Sequence, residues 1–150
     1  VTPEEVARAS AEAMWRTDRA SQALGMDILR IAPGEAVLTM TVRGDMANGH
    51  GICHGGYIFT LADSAFAFAC NSYGRVTVAQ SNTITYLSPG PVGETLTATA
   101  REVALAGRSG LYDVTIARQD GTVIAEFRGQ SRELGRDIAG VLPADPREET

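Results

Sequence analysis

With 150 residues, 44% of them hydrophobic, the chain has the length for one domain, which would bury on the order of 70% of its unfolded surface. A net charge of −5 and a pI near 5.0 argue against a general nucleic-acid binder, which would carry a basic face. No apolar run approaches the roughly 18 residues of a membrane span, and V-T-P-E-E-V-A-R is too acidic and polar for a signal peptide, so no membrane contact and a cytoplasmic location are expected.

In chain order, an amphipathic helix is predicted over Pro3–Leu24, with Pro3 in its first turn, Glu4 and Glu5 suited to the N-terminal dipole, and Gly25 as its stop. Apolar alternation over Met26–Ile31 and Ala36–Arg43, split by Pro33-Gly34, predicts a hairpin. A loop over 44–56 leads into a helix over Tyr57–Cys70, apolar on most sides and therefore expected in the core. Beyond it the period changes to two, over Val76–Leu87, Glu94–Leu105, Leu111–Arg118 and Thr122–Arg132, with turn signals at Pro89-Gly90-Pro91, Ala106-Gly107 and Asp120-Gly121. Leu96, Ala98 and Ala100 alternate with threonines, a small apolar face that leaves room for a helix. The sum is an α+β fold, an antiparallel sheet with one buried helix across it. The domain is expected over 1–135, with a loose tail over 136–150 rich in proline and charge.

Asp63 stands inside the apolar helix. An ionised carboxylate there must be hydrogen-bonded, shifted in pKa or placed for chemistry. Just upstream, His54-Gly55-Gly56 leaves backbone N–H groups free at the helix N-terminus. Such groups, with the helix dipole, stabilise negative charge developing on a carbonyl oxygen, and glycine lets a ligand approach the main chain.

The run N-x(5)-H-G-G-x(6)-D, from Asn48 to Asp63, is followed by A-F-A-x-A-C-N, T-I-T-Y-L-S-P-G (83–90), V-G-E-T-L-T-A-T-A (92–100) and F-R-G-Q-S (127–131). Together they resemble the hotdog-fold acyl-CoA thioesterases, most closely the PaaI family of phenylacetic acid degradation, in one register over roughly residues 10–135. The resemblance implies a sheet wrapped around one long helix and hydrolysis of an acyl-CoA with an aromatic acyl group. It further implies a homotetramer, and no cofactor, coenzyme A being part of the substrate. It also assigns roles: Asp63 as general base or nucleophile, the Gly55 N–H on the thioester carbonyl, and Asn48 as an orienting group. One departure stands out. Some relatives place a serine on the first strand after the helix to hold the attacking water, and here that position is Ala79, with Gln80, Ser81 or Asn82 as possible substitutes.

Each assignment has a plainer alternative. Asp63 could be a core acid satisfied by hydroxyls such as that of Thr60, and Gly55 and Asn48 could be ordinary turn residues. His54 could be a general base, or its ring could brace the loop. His50, Cys53 and His54 fit no standard zinc spacing, so no metal is expected. Cys53 and His54, being adjacent, make a poor nucleophile–base pair, and with Cys70 as the other cysteine there is no disulfide framework. Gly56, Arg108, Ser109 and Arg128 are candidates for contacting coenzyme A, against the alternative of solvent-exposed side chains. Phe59, Phe66, Phe68 and Tyr73 are candidate walls of an acyl chamber, or plain core. Competing activities are an acyl-thioester hydratase or dehydratase of the same fold and a non-catalytic acyl-CoA-binding module.

Geometry adds one expectation. Gly55 and Asp63 are eight residues apart, about 12 Å along a helix at about 1.5 Å per residue, so one carbonyl cannot meet both. The two groups serving one substrate should come from different chains, which requires a homodimer at minimum.

Overall fold

A computed structural model of the protein describes residues 1–143. The first helix, α1 (Pro3–Trp15), opens with a reciprocal cap: the Glu5 N–H donates to the Thr2 hydroxyl at 3.1 Å, and the Thr2 N–H donates to the Glu5 carboxylate at 3.3 Å. The continuous helix expected to Leu24 is broken. Asp18 leaves helical geometry (φ −80°, ψ 79°) and its carboxylate accepts the Ser21 N–H at 3.0 Å, starting a separate short helix, α2 (Arg19–Ala23). A capping aspartate competes with helix continuation because its side chain takes over a backbone partner.

Strands β1 (Asp27–Ala32) and β2 (Glu35–Thr41) form the expected hairpin, followed by a 3₁₀ turn at Gly44–Met46 and the long helix α3 (Gly55–Cys70). Then come β3 (Arg75–Tyr86), β4 (Thr95–Ala106), β5 (Ser109–Ala117) and β6 (Val123–Asp137). All pair antiparallel in the order β1-β2-β4-β5-β6-β3, the hotdog arrangement of a sheet curled on one helix. Among the described residues no helix is long and apolar enough to cross a membrane.

Alternation decides which face meets α3. Leu96, Ala98 and Ala100 of β4 and Val114 and Ile116 of β5 are fully buried, as are Leu61, Ala62 and Ala65 of the helix above them. Burying one such leucine contributes about 1.5–3 kcal/mol, so the small alanine face gains by letting the helix sit close. Phe66 lies against Gly129 of β6, where an added Cβ would fall 2.8 Å from the ring. Gly129→Ala should therefore destabilise the fold by about 1–3 kcal/mol through overpacking, read from urea midpoints; an unchanged midpoint would show that the ring yields freely.

The far end of the sheet extends beyond the boundary expected at 135. β6 runs to Asp137, where Arg75 pairs with both Glu133 and Asp137 at 2.7 Å, and the Ile138 N–H donates to the Gly74 carbonyl at 2.8 Å. The remainder of the expected tail, 144–150, lies outside the described residues. The order of strands leaves β3 on an edge of the sheet, paired with β6 on one side and open on the other, with Val78 41% exposed along it.

Candidate active site

The loop before α3 is held from several sides. The Asn48 N–H donates to the Ile52 carbonyl at 2.8 Å, and the Asn48 Oδ1 accepts the His50 N–H at 2.9 Å and the Ile52 N–H at 3.4 Å. This is the side-chain turn that asparagine favours. The Cys53 N–H donates to the Gly90 carbonyl and the His54 N–H to the Met46 carbonyl, both at 2.8 Å. His54 then caps the helix: its Nδ1 accepts the Gly56 N–H at 3.0 Å, which moves the helix start to Gly55 from the expected Tyr57. Its ring is positioned as a brace on the first turn of the helix.

With Gly56 occupied by His54, the Gly55 N–H is the first donor left over, and it makes no hydrogen bond among the described residues. Tyr86, at the end of β3, explains why this position is glycine. Its hydroxyl donates to the Gly55 carbonyl at 2.7 Å, and a Cβ on Gly55 would lie 2.9 Å from the phenol ring. Burial, with Cys53 nearby, pushes the Tyr86 phenol up, keeping it a donor. Asn48, Gly55, Ile58, Tyr86 and Leu87 line one cavity of about 500 Å³, within the range of small-molecule sites. Sequence reasoning had placed Tyr86 only within a motif. The cue available was an aromatic closing a strand, which does not say what the ring covers.

Asp63 lies elsewhere, in a second cavity of about 300 Å³ lined by Met14, Phe66, Cys70, Thr77 and Ala79. Thr60 does not satisfy it, since that hydroxyl donates to the Gly56 carbonyl at 2.9 Å. The partner Asp63 has is Asn82 on β3, whose Nδ2 donates to Oδ1 at 3.3 Å. Burial raises the Asp63 carboxyl above its ordinary value, and the Asn82 hydrogen bond opposes that rise. Asn82 Oδ1 is buried with no hydrogen-bond partner among the described residues. Ala79 brings only a methyl group to the cavity wall.

Of the four candidate aromatics, Phe66 borders this cavity. Phe59 packs on Phe127 with ring centres 5.5 Å apart, Phe68 on Trp15 at 6.2 Å, and the Tyr73 hydroxyl donates to Glu102 at 2.8 Å. Both thiols are raised by burial, Cys70 to about 12, and Cys53 Sγ donates to the His54 carbonyl at 3.6 Å.

A single chain does not bring the coenzyme A candidates to either cavity. Arg108 and Ser109 sit at the β4–β5 turn beside Tyr73, Arg75 and Glu133, and Ser109 Oγ accepts from Arg132 at 3.5 Å. Arg128 is on the sheet face turned away from α3, held by Asp113 through two hydrogen bonds of 2.7 and 2.9 Å. Its guanidinium is thus already matched to a carboxylate.

Comparison with known proteins gives the family. A model of the thioesterase superfamily matches residues 50–125, the stretch holding Gly55, Asp63, Asn82 and Tyr86. The chain is 48% identical to the acyl-coenzyme A thioesterase PaaI of Escherichia coli over 87% of its own length and 94% of the relative's. The solved structure of E. coli PaaI superposes with a TM-score of 0.89 at 46% identity, covering 91% of this chain and 99% of that one. A Streptococcus mutans protein solved bound to acetyl-CoA superposes with a TM-score of 0.72 at 29% identity, covering 75% and 90%. With half the chain matched by the family model and 48% identity to PaaI over 87% of its length, the protein belongs to the thioesterase superfamily, as a hotdog-fold enzyme.

Proposed function

We propose that this enzyme hydrolyses acyl-CoA thioesters carrying an aromatic acyl group, at sites shared between two copies of the chain. The observation that carries the reading is the Gly55 N–H, without a hydrogen bond among the described residues, and the half-buried, raised Asp63 carboxyl, on one helix but in two different cavities. In each site Gly55 of one copy would bind the thioester carbonyl oxygen and Asp63 of the other would activate water or attack the carbon itself. The Asn48 amide, its oxygen engaged in the loop, offers Nδ2 to orient the substrate.

Strand β3 supports the pairing. Its start, Thr77–Ala79, walls the Asp63 cavity, and its end, Tyr86, walls the Gly55 cavity. Antiparallel addition of a second β3 along the open edge sets the start of one strand beside the end of the other, so each Asp63 cavity meets a Gly55 cavity. A tetramer would be a pair of such dimers, as the family resemblance implies.

The aromatic preference rests on Phe66 at the Asp63 cavity and on likeness to E. coli PaaI, which comes from the phenylacetic acid degradation operon. Thiol release measured across a panel of acyl-CoA esters tests both parts. Phenylacetyl-type esters should show higher kcat/KM than palmitoyl-CoA, and the reverse order would remove the aromatic assignment. Absence of thiol release with every ester would remove hydrolysis itself, since a hydratase leaves coenzyme A attached.

A further inference from the structure

Asn82 is positioned on β3 with its Nδ2 donating to the Asp63 carboxylate at 3.3 Å and its Oδ1 buried without a partner among the described residues. A buried amide oxygen left unpaired is costly, so an acceptor retained in this state has a donor to receive. Beside a carboxylate that, acting as general base, takes a proton from water, the small donor that fits is that water. It can give one hydrogen to Asp63 and the other to Asn82 Oδ1. The position that could otherwise have held it, Ala79, lines the cavity without a polar atom.

We infer that Asn82 is the positioning residue of the hydrolytic step, holding the attacking water through Oδ1 while its Nδ2 orients Asp63. This inference rests on the reading of Asp63 as the catalytic carboxylate. The water oxygen bonds to the acyl carbon, its proton passes to Asp63, the carbon–sulfur bond breaks, and the departing coenzyme A thiolate takes that proton, leaving the free acid. Within the cavity, α1 contributes Met14, β3 contributes Thr77 and Ala79, α3 contributes Phe66 and Cys70, and Asn71 follows the helix. Cys70 is the other titratable group in that wall, and its thiol stays neutral below about 12. The acid side of the pH profile therefore reports Asp63 and its Asn82 partner.

The test compares Asn82→Ala, Asn82→Asp and Asp63→Asn by thiol release across pH, with circular-dichroism melts as the check on folding. Losing the Nδ2 donor removes an influence that lowers the Asp63 pKa, so the acid limb of kcat/KM should move to higher pH, further for Asn82→Asp, which sets a second carboxylate beside the first. Turnover should fall by about tenfold or more with KM within about threefold, because the group acts on the reacting water and not on binding. Asn82→Asp is near-isosteric, so it keeps the test open if Asn82→Ala unfolds. An unmoved acid limb, or turnover within about twofold of the parent, overturns the inference. If Asp63→Asn is inactive while the Asn82 variants behave as the parent, this inference alone fails; if Asp63→Asn keeps parental turnover, the reading beneath it fails.

Discussion

Asp63→Asn should cut turnover by at least about a hundredfold while the protein still binds coenzyme A, the usual scale for losing an acid–base or nucleophilic group. The substitution is nearly isosteric and removes the charge from a site that burial makes costly to ionise, so the helix should tolerate it and the melting temperature should hold or rise. The loss is then chemical and not structural. A folded variant with the parental rate on aromatic acyl-CoA would sink the assignment.

The second large effect concerns how sites are assembled. Gly55→Pro removes the candidate oxyanion donor at a position whose backbone accepts proline, the first residue of a helix preceded by His54 at φ −61°, ψ 134°. Its Cβ would fall 2.9 Å from the Tyr86 ring, which must shift, so Gly55→Ala, which adds the same Cβ and keeps the N–H, is the control. The proline chain and the Asp63→Asn chain should each be inactive alone. Mixed under conditions of subunit exchange, they should regain activity, because a heterodimer holds one intact site and one doubly broken site. No recovery in verified heterodimers, both variants being folded, would mean that each site is built within one chain.

Much of this was readable from residue order. Period-two runs mark all six strands, most clearly β2, β4, β5 and β6, where buried residues facing the core alternate with more exposed ones. The apolar run to Cys70 marked the buried helix, and counting residues along it separated Gly55 from Asp63 before any cavity was seen. What could not be read is what depends on distant contact. The break at Asp18 is a choice between helix continuation and capping that propensity alone leaves balanced. Tyr86 over Gly55 and Asn82 against Asp63 join residues 31 and 19 apart in sequence, set by how β3 lies beside the helix. Arg128 offered a charge with no hint that Asp113, across the sheet, already holds it.

Cys70 gives the Asp63 cavity a further property. A thiol in the wall of a chamber proposed to receive activated acyl groups invites transthioesterification, which would leave the enzyme acylated on sulfur. Only the thiolate attacks at a useful rate, and with its pKa pushed to about 12 by burial, chiefly, and also by the Asp63 charge, the sulfur stays protonated at neutral pH. The carboxylate proposed to drive hydrolysis thus also helps keep its neighbouring sulfur protonated, which would spare the protein self-acylation by its own substrate.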